Sequence, residues 1–253
     1  MKVPNVVHFI WLTGPHARPF SYINYLAVKA AAKVHKPDRI LMHCNLAPVG
    51  NPHWDKAKRY FTFVPCTAPT MLGNTPIRHV QYQSDVLRMG ILIRQGGIYI
   101  DTDMLLLRPL HDLMNQPLTL TEESPSSIAN GVILAAPESE FLKIWLNKMP
   151  QALRSPTWAY HAVVLPVQLS LDFPHLATVR GSSYFFPLDL KRNYLCETEL
   201  GQVAESMSRI GPAHGIHVYE SYWRGYLDDI KPENMKGPSL FAKLFGHLEA
   251  DDD

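Results

Sequence analysis

Val80-Gln81-Tyr82-Gln83-Ser84-Asp85-Val86-Leu87-Arg88-Met89-Gly90-Ile91-Leu92-Ile93-Arg94-Gln95-Gly96-Gly97-Ile98-Tyr99-Ile100-Asp101-Thr102-Asp103 reads as a helix, a glycine turn and a strand in direct succession. Val80, Leu87, Ile91 and Leu92, with other apolar residues, cover most of a helical surface from Val80 to Gln95, which predicts a largely buried helix. That helix nevertheless carries Asp85 and Arg88, three residues apart and so on one face. Gly96-Gly97 supplies the backbone freedom that ends a helix and turns the chain. Ile98 to Asp103 alternates like a strand, which predicts Tyr99, Asp101 and Asp103 on one side and Ile98 and Ile100 in the core.

The same logic extends toward the N-terminus. Val6-Val7-His8-Phe9-Ile10-Trp11 is β-branched and aromatic and is followed by Gly14-Pro15, so it predicts a buried first strand. Ser21 is placed to cap a helix whose Tyr22, Ile23, Leu26, Ala27, Ala30 and Val34 recur at helical spacing until Pro37 stops it. Arg39 to His43 then predicts a second strand, and strand, helix, strand is the unit that builds parallel sheets. Residues 45–76 are rich in proline and give no clear organisation. Phe141, Leu142, Trp145, Leu146 and Met149 mark another amphipathic helix, and Leu240, Phe241, Leu244, Phe245 and Leu248 a terminal one. Lys29, Lys33 and Lys36 read as a solvated helix face, and Trp54, Trp145 and Trp158 as packing residues.

Composition narrows the function classes. The chain has 253 residues, 46% hydrophobic and 19% charged, enough for a single α/β domain with a sizeable core. Its 24 basic and 23 acidic side chains leave a formal charge of +1, so no global field favours nucleic acid, and any anion site is local. Cys44, Cys66 and Cys196 are odd in number and far apart, fitting neither a disulfide framework nor a zinc spacing. Val6 to Trp11 is too short for a signal sequence, and Ala159 to Phe173 is broken by His161, Pro166, Gln168 and Asp172. The expectation is a cytoplasmic protein without a transmembrane segment.

Two carboxylates converging at a strand end suit a hard divalent ion, Mn²⁺ or Mg²⁺, which binds a diphosphate in turn. A bare Asp-x-Asp is also common as a solvated turn, so the context carries the inference. Asp85 and Arg88 admit two readings: a structural ion pair, or an aspartate accepting from a ribose hydroxyl beside an arginine on phosphate or sugar oxygens.

With Ser84-Asp85-Val86-Leu87-Arg88 and Gly96-Gly97-Ile98-Tyr99-Ile100-Asp101-Thr102-Asp103 in this spacing, the chain resembles the DXD-motif sugar transferases. These are the family 32-like enzymes that include α-1,4-galactosyltransferases, initiating mannosyltransferases and clostridial glucosylating toxins. The opening strand Val7-His8-Phe9-Ile10-Trp11 is similar too, and the resemblance spans about residues 3–150 well and the rest loosely. It implies a GT-A fold, a Rossmann-like mixed sheet flanked by helices. Residues 1–110 would be the nucleotide-sugar-binding half, and 111–253 the acceptor-side half with a C-terminal lid.

Carried over by position, the resemblance implies that Trp11 stacks on the base and that Asp85 and Arg88 hold ribose and donor sugar. Asp103 would bind metal directly, with Asp101 beside it; Tyr99 would lie against the donor, and Asn130 near its sugar. The segment from His214 to Trp223 resembles the family's closing element, making His217 a third metal ligand and Ser221 and Trp223 donor contacts. Gly215 and Gly225 would let that segment move. The Gly-Pro found in many relatives is replaced here by Val164-Leu165-Pro166. The resulting expectation is a retaining, metal-dependent glycosyltransferase. Its donor would be a UDP-sugar ahead of GDP-mannose, and its acceptor a glycan, lipid or protein. An aspartate-based phosphotransferase and a non-catalytic sugar-nucleotide-binding module are the rivals. The small residues beside Asn130, Ala129 and Gly131, suggest room for an N-acetylhexosamine.

Overall fold

The computed structural model describes residues 2–14, 18–188 and 194–250, so Pro15 of the expected Gly-Pro stop lies outside the described residues. Elements follow in the order β1 (Val6–Trp11), α1 (Tyr22–Ala30), β2 (Arg39–Cys44), α2 (Pro52–Ala57) and β3 (Thr62–Pro65). A small hairpin, β4 (Met71–Leu72) and β5 (Thr75–Pro76), leads into α3 (Val80–Gln95), β6 (Gly97–Ile100) and β7 (Met104–Leu106). β8 (Leu118–Ser124), β9 (Ser127–Ala135), α4 (Glu140–Ala152), α5 (Tyr160–Val163), α6 (Leu165–Asp172) and β10 (Thr178–Arg180) come next. The chain closes with α7 (Leu200–Ile210), β11 (Gly215–His217), α8 (Glu220–Leu227), α9 (Leu240–Phe245) and α10 (His247–Ala250).

Seven strands form one mixed sheet in the order β10-β8-β9-β6-β1-β2-β3. β6, β1, β2 and β3 run parallel, as the opening strand-helix-strand unit predicts, and β9 is antiparallel to both β6 and β8. Both faces of the central strands are covered, which suits their continuous apolar sequences. On one side Val7, Phe9, Ile98 and Ile100 pack with α1 and the C-terminal Phe241 and Phe245. On the other, Ile10 and Tyr99 pack with Met89 and Leu92 of α3 and Trp145 of α4.

Local chemistry explains the entry to β6. Gly96 and Gly97 have φ of 64° and 108°, a region costly for residues with a Cβ. At Gly97 a Cβ would stand 2.7 Å from both His8 Nε2 and the Val6 carbonyl, so α3 reaches the sheet only through this glycine. Ser21 caps α1 as predicted: its hydroxyl accepts from Asn24 N–H, and the Asn24 side chain accepts from Ser21 N–H.

Several expectations are corrected. β6 stops at Ile100, and Asp101, Thr102 and Asp103 form a turn closed by Met104 N–H donating to the Asp101 carbonyl at 3.0 Å. Lys29 is fully buried, its amine 5.6 Å from the Tyr25 ring centroid, because α1 is covered on all sides; Lys33 and Lys36 are exposed as expected. Trp54 and Trp145 are packing residues, but Trp158 is 59% exposed. The terminal helix is two short ones broken at Gly246, where a Cβ would meet the Met235 and Ala242 carbonyls.

Candidate active site

The turn after β6 is pinned from three sides. Asp101 N–H donates to the Gly131 carbonyl of β9 at 2.8 Å, and Asn24 Nδ2 of α1 donates to the Thr102 carbonyl at 3.0 Å. β11 pairs antiparallel with β7, His217 opposite Met104, and Val218 N–H donates to the Asp103 carbonyl at 3.0 Å. This pairing brings a histidine from far along the chain against both aspartates. His217 Nε2 lies 3.3 Å from Asp103 Oδ1 and 3.6 Å from Asp101 Oδ2. One ligand atom from each of Asp101, Asp103 and His217 falls within 4.8 Å of the others.

Behind the cluster lies a buried network. Tyr99 donates its hydroxyl hydrogen to Asp101 Oδ1 at 2.6 Å, and Arg88 Nη2 stands 3.3 Å from the same oxygen. The Arg88 guanidinium lies over the Tyr99 ring, 4.1 Å from its centroid, and donates through Nη1 to the Asn130 carbonyl at 2.6 Å. Arg88 Nη2 is also 3.0 Å from Asp85 Oδ1, which accepts from Asn130 Nδ2 at 2.9 Å. His161 Nε2 is 2.8 Å from Asp85 Oδ2.

Burial alone would raise the Asp101 carboxyl and lower the Arg88 guanidinium. The opposite charges outweigh it, so the carboxyl stays well below the usual range and the arginine above its own. Burial would likewise lower His217, but Asp103 and Asp101 push it up to about 9. Beside the cluster, burial raises the Glu220 carboxyl, whose Oε2 accepts from Asn24 Nδ2, and the Glu220 backbone N–H donates to Asp103 Oδ2 at 2.9 Å.

The two aspartates and His217 open onto a cleft of about 400 Å³ that also includes Ile10, Tyr82, Ser84, Thr102, Trp158 and Ser221, while Glu220, Asn24 and His161 lie outside its lining. Of the residues expected from the sequence, Asp85, Arg88, Tyr99, Asp101, Asp103, Asn130, His217 and Ser221 line it. Trp11 and Trp223 are not brought into it. Trp11 alternates away from Ile10 and packs edge-on against Phe20, ring centroids 5.0 Å apart, and Trp223 packs between Tyr222 and Tyr226. Asp85 and Arg88 are 6% and 4% exposed, so in this arrangement they satisfy one another. Gly131 backs directly onto the turn: a Cβ there would stand 2.6 Å from Asp101 Oδ2. Nor is Gly215 a free hinge, because it is paired in β11 and a Cβ there would stand 3.0 Å from the Leu105 carbonyl and 3.2 Å from the Leu106 and Phe185 side chains.

His161 enters the sequence reading only as a break in an apolar run, and Asn24 not at all. Neither sits in a motif, and only the double role of Asn24 as capping residue and turn anchor left any local trace.

Residues 58–120 match a family model described as glycosyltransferase sugar-binding region containing DXD motif. That stretch includes α3, β6 and the Asp101–Asp103 turn. It is 28% identical to glucan organizing enzyme 1 of Cryptococcus neoformans over 93% of this chain and 68% of that protein. It is 34% identical to inositol phosphoceramide mannosyltransferase 3 of Schizosaccharomyces pombe over 35% of this chain and 24% of that protein. The match to lactosylceramide 4-alpha-galactosyltransferase of Mus musculus is 26% identical over 60% of this chain and 36% of that enzyme, so these two matches span well under half of those proteins. Among solved structures, the galactosyltransferase LgtC with donor and acceptor sugar analogs superposes with a TM-score of 0.52 at 14% identity, covering 97% of this chain and 95% of that one. Mouse xyloside xylosyltransferase 1 gives 0.52 at 11% identity, covering 83% and 96%. The fold is thus the GT-A one of the DXD glycosyltransferases, as the resemblance in the sequence implied.

Proposed function

We propose that the protein is a retaining, divalent-metal-dependent glycosyltransferase that uses a nucleotide-sugar, a UDP-sugar ahead of GDP-mannose. The observation that carries this reading is the convergence of Asp101, Asp103 and His217 at the floor of a cleft in a GT-A fold. Two carboxylates and an imidazole are a donor set for Mn²⁺ or Mg²⁺. The cluster fits an ion because these three ligand atoms lie within 4.8 Å of one another, and the His217 imidazole would ligate in its neutral form, giving up its proton as the ion binds. When bound, the ion supplies positive charge to the diphosphate as it departs.

The chain's own residues do the rest. Arg88, itself held by the Asn130 carbonyl, and Tyr99 fix the Asp101 carboxylate from behind, and Glu220 N–H fixes that of Asp103, so the site is organised before any ligand arrives. Arg88 therefore acts through Asp101, and the donor sugar lies over the exposed edges of Asn130 and Tyr82. The acceptor hydroxyl oxygen bonds to the anomeric carbon on the face the diphosphate leaves. The carbon–phosphate-oxygen bond breaks, and the hydroxyl proton passes to the leaving oxygen. In this reading residues 1–110 hold the nucleotide-sugar, with the base beyond Ile10 toward Trp11. Residues 111–253 supply the acceptor side and the segment from His217 to Trp223. No helix among the described residues is long and apolar enough to cross a membrane.

A screen of UDP- and GDP-sugars with Mn²⁺ tests the proposal. It predicts slow, EDTA-sensitive release of free sugar and nucleoside diphosphate in equal amounts. Release of inorganic phosphate supports phosphotransfer instead, and binding without turnover for every donor and acceptor supports a binding module.

A further inference from the structure

Past Tyr82 the cleft opens into a second depression of about 410 Å³, within the range of small-ligand sites, and the two share Tyr82 and Trp158. Trp158 stands at the junction with 59% of its surface exposed, although an indole ordinarily gains by burial. It is held there by construction. The next residue, Ala159, has φ 54° and ψ 20°, the left-handed region disfavoured for residues with a Cβ, and its N–H donates to the Tyr82 hydroxyl at 3.1 Å. Tyr82 and His79 brace the indole, with ring centroids 5.0 and 5.4 Å from it. Beneath it, Tyr82 packs edge-on over His161, centroids 4.3 Å apart, and His161 holds Asp85 of the buried network. The exposed ring is thus fixed relative to the Asp101–Asp103 floor. Arg78 and Arg154 line the far side of the depression, and Arg154 Nη2 is oriented by Thr75 Oγ1 at 3.2 Å.

We infer that Trp158 is an acceptor platform: a pyranose of a glycan acceptor stacks its C–H face on the indole, with the attacking hydroxyl toward the cleft floor. The next sugar unit occupies the depression, where Arg78 and Arg154 donate hydrogen bonds to its hydroxyls. The chemistry selects a sugar because a pyranose presents one apolar face and a rim of hydroxyls. The site offers one flat aromatic face beside forked donors. This inference rests on the transferase reading for its role, but sugar binding at Trp158 is measurable without turnover.

The test uses the full chain and tetrasaccharides of β-1,3-glucan, α-1,4-galactan and α-1,6-mannan. In saturation-transfer difference NMR without donor, the wild type should saturate ring protons of at least one tetrasaccharide, Trp158→Ala should lose the signal, and Trp158→Phe should keep part of it. With donor and Mn²⁺, the ratio of transfer to donor hydrolysis should fall about tenfold in Trp158→Ala, the size of one lost ring stack. Thermal melting of each variant confirms folding, and Arg154→Gln, distant from the floor, should lower the same ratio. The inference is overturned if no tetrasaccharide is saturated by the wild type, if Trp158→Ala saturates equally, or if the transfer-to-hydrolysis ratio is unchanged. Absent hydrolysis with Trp158-dependent saturation would instead overturn the transferase reading while leaving the sugar site standing.

Discussion

At the residue scale, the site depends on what stands behind the two aspartates more than on the aspartates alone. Gly131 leaves 2.6 Å between a would-be Cβ and Asp101 Oδ2, so Gly131→Ala should push that carboxylate out of place. Donor turnover should fall at least about tenfold with a Tm change of only a few degrees; normal turnover in a folded variant would contradict the packing argument. Arg88 is buried between Asp85 and Asp101, and Arg88→Met would remove the guanidinium that both carboxylates share. Breaking a buried pair from one side costs about 3–5 kcal/mol, so chemical denaturation should show a loss of that order. A loss below about 1 kcal/mol would mean that the network is solvated. Asp85, Arg88 and the Asp-x-Asp pair were legible because their spacing is a motif. His161 was not, since its contact with Asp85 spans α3 and α5 and no local pattern records it.

At the element scale, the helix, glycine turn and strand were read correctly because buried periodicity and paired glycines are strong local signals. The end of β6 was misread. Alternation continues through Asp103 in sequence, yet Gly131 and Asn24 capture the backbone of Asp101 and Thr102 and bend it into a turn. The strands around that turn are tied by a chain of neutral imidazoles. His8 Nε2 is 3.0 Å from the Gly96 carbonyl, which can only accept, so a neutral His8 donates through Nε2 and accepts at Nδ1 from His43 Nε2–H, 3.0 Å away. Burial pushes His8, His43 and His35 down to about 4, with smaller repulsions from neighbouring charged groups. Between the ordinary histidine value of 6.5 and about 4 the unfolded chain binds protons that the folded chain does not, so stability falls as pH drops through that window. The expected loss is up to about 1.4 kcal/mol per histidine for each pH unit. A Tm that is constant from pH 6.5 to 4.5 would refute the burial of the three rings. The segment after β11 behaves differently. Tyr222 and Tyr226 are 63% and 56% exposed on α8, while β11 is paired with β7. Hydrogen exchange should therefore show residues 215–218 protected throughout and residues 220–227 gaining protection only with UDP and Mn²⁺. Equal protection of α8 in both states would make it a fixed wall.

At the scale of the whole molecule, the parallel half of the sheet was visible in the opening strand-helix-strand unit. The antiparallel β9 and β8, by contrast, carry no crossover signature in sequence. Their placement matters because β9 delivers Asn130 and Gly131 to the turn after β6, and β11 delivers His217 from the other end of the chain. The candidate metal centre is a property of this topology: three segments far apart in sequence meet at one turn. Mn²⁺ titration followed by electron paramagnetic resonance, with UDP present, tests that claim most directly. The wild type should bind one Mn²⁺ per chain, and Asp103→Asn and His217→Ala should each weaken binding at least about tenfold while keeping a cooperative melt. Wild-type Mn²⁺ affinity in both variants, or no UDP-dependent Mn²⁺ binding by the wild type, would contradict the account.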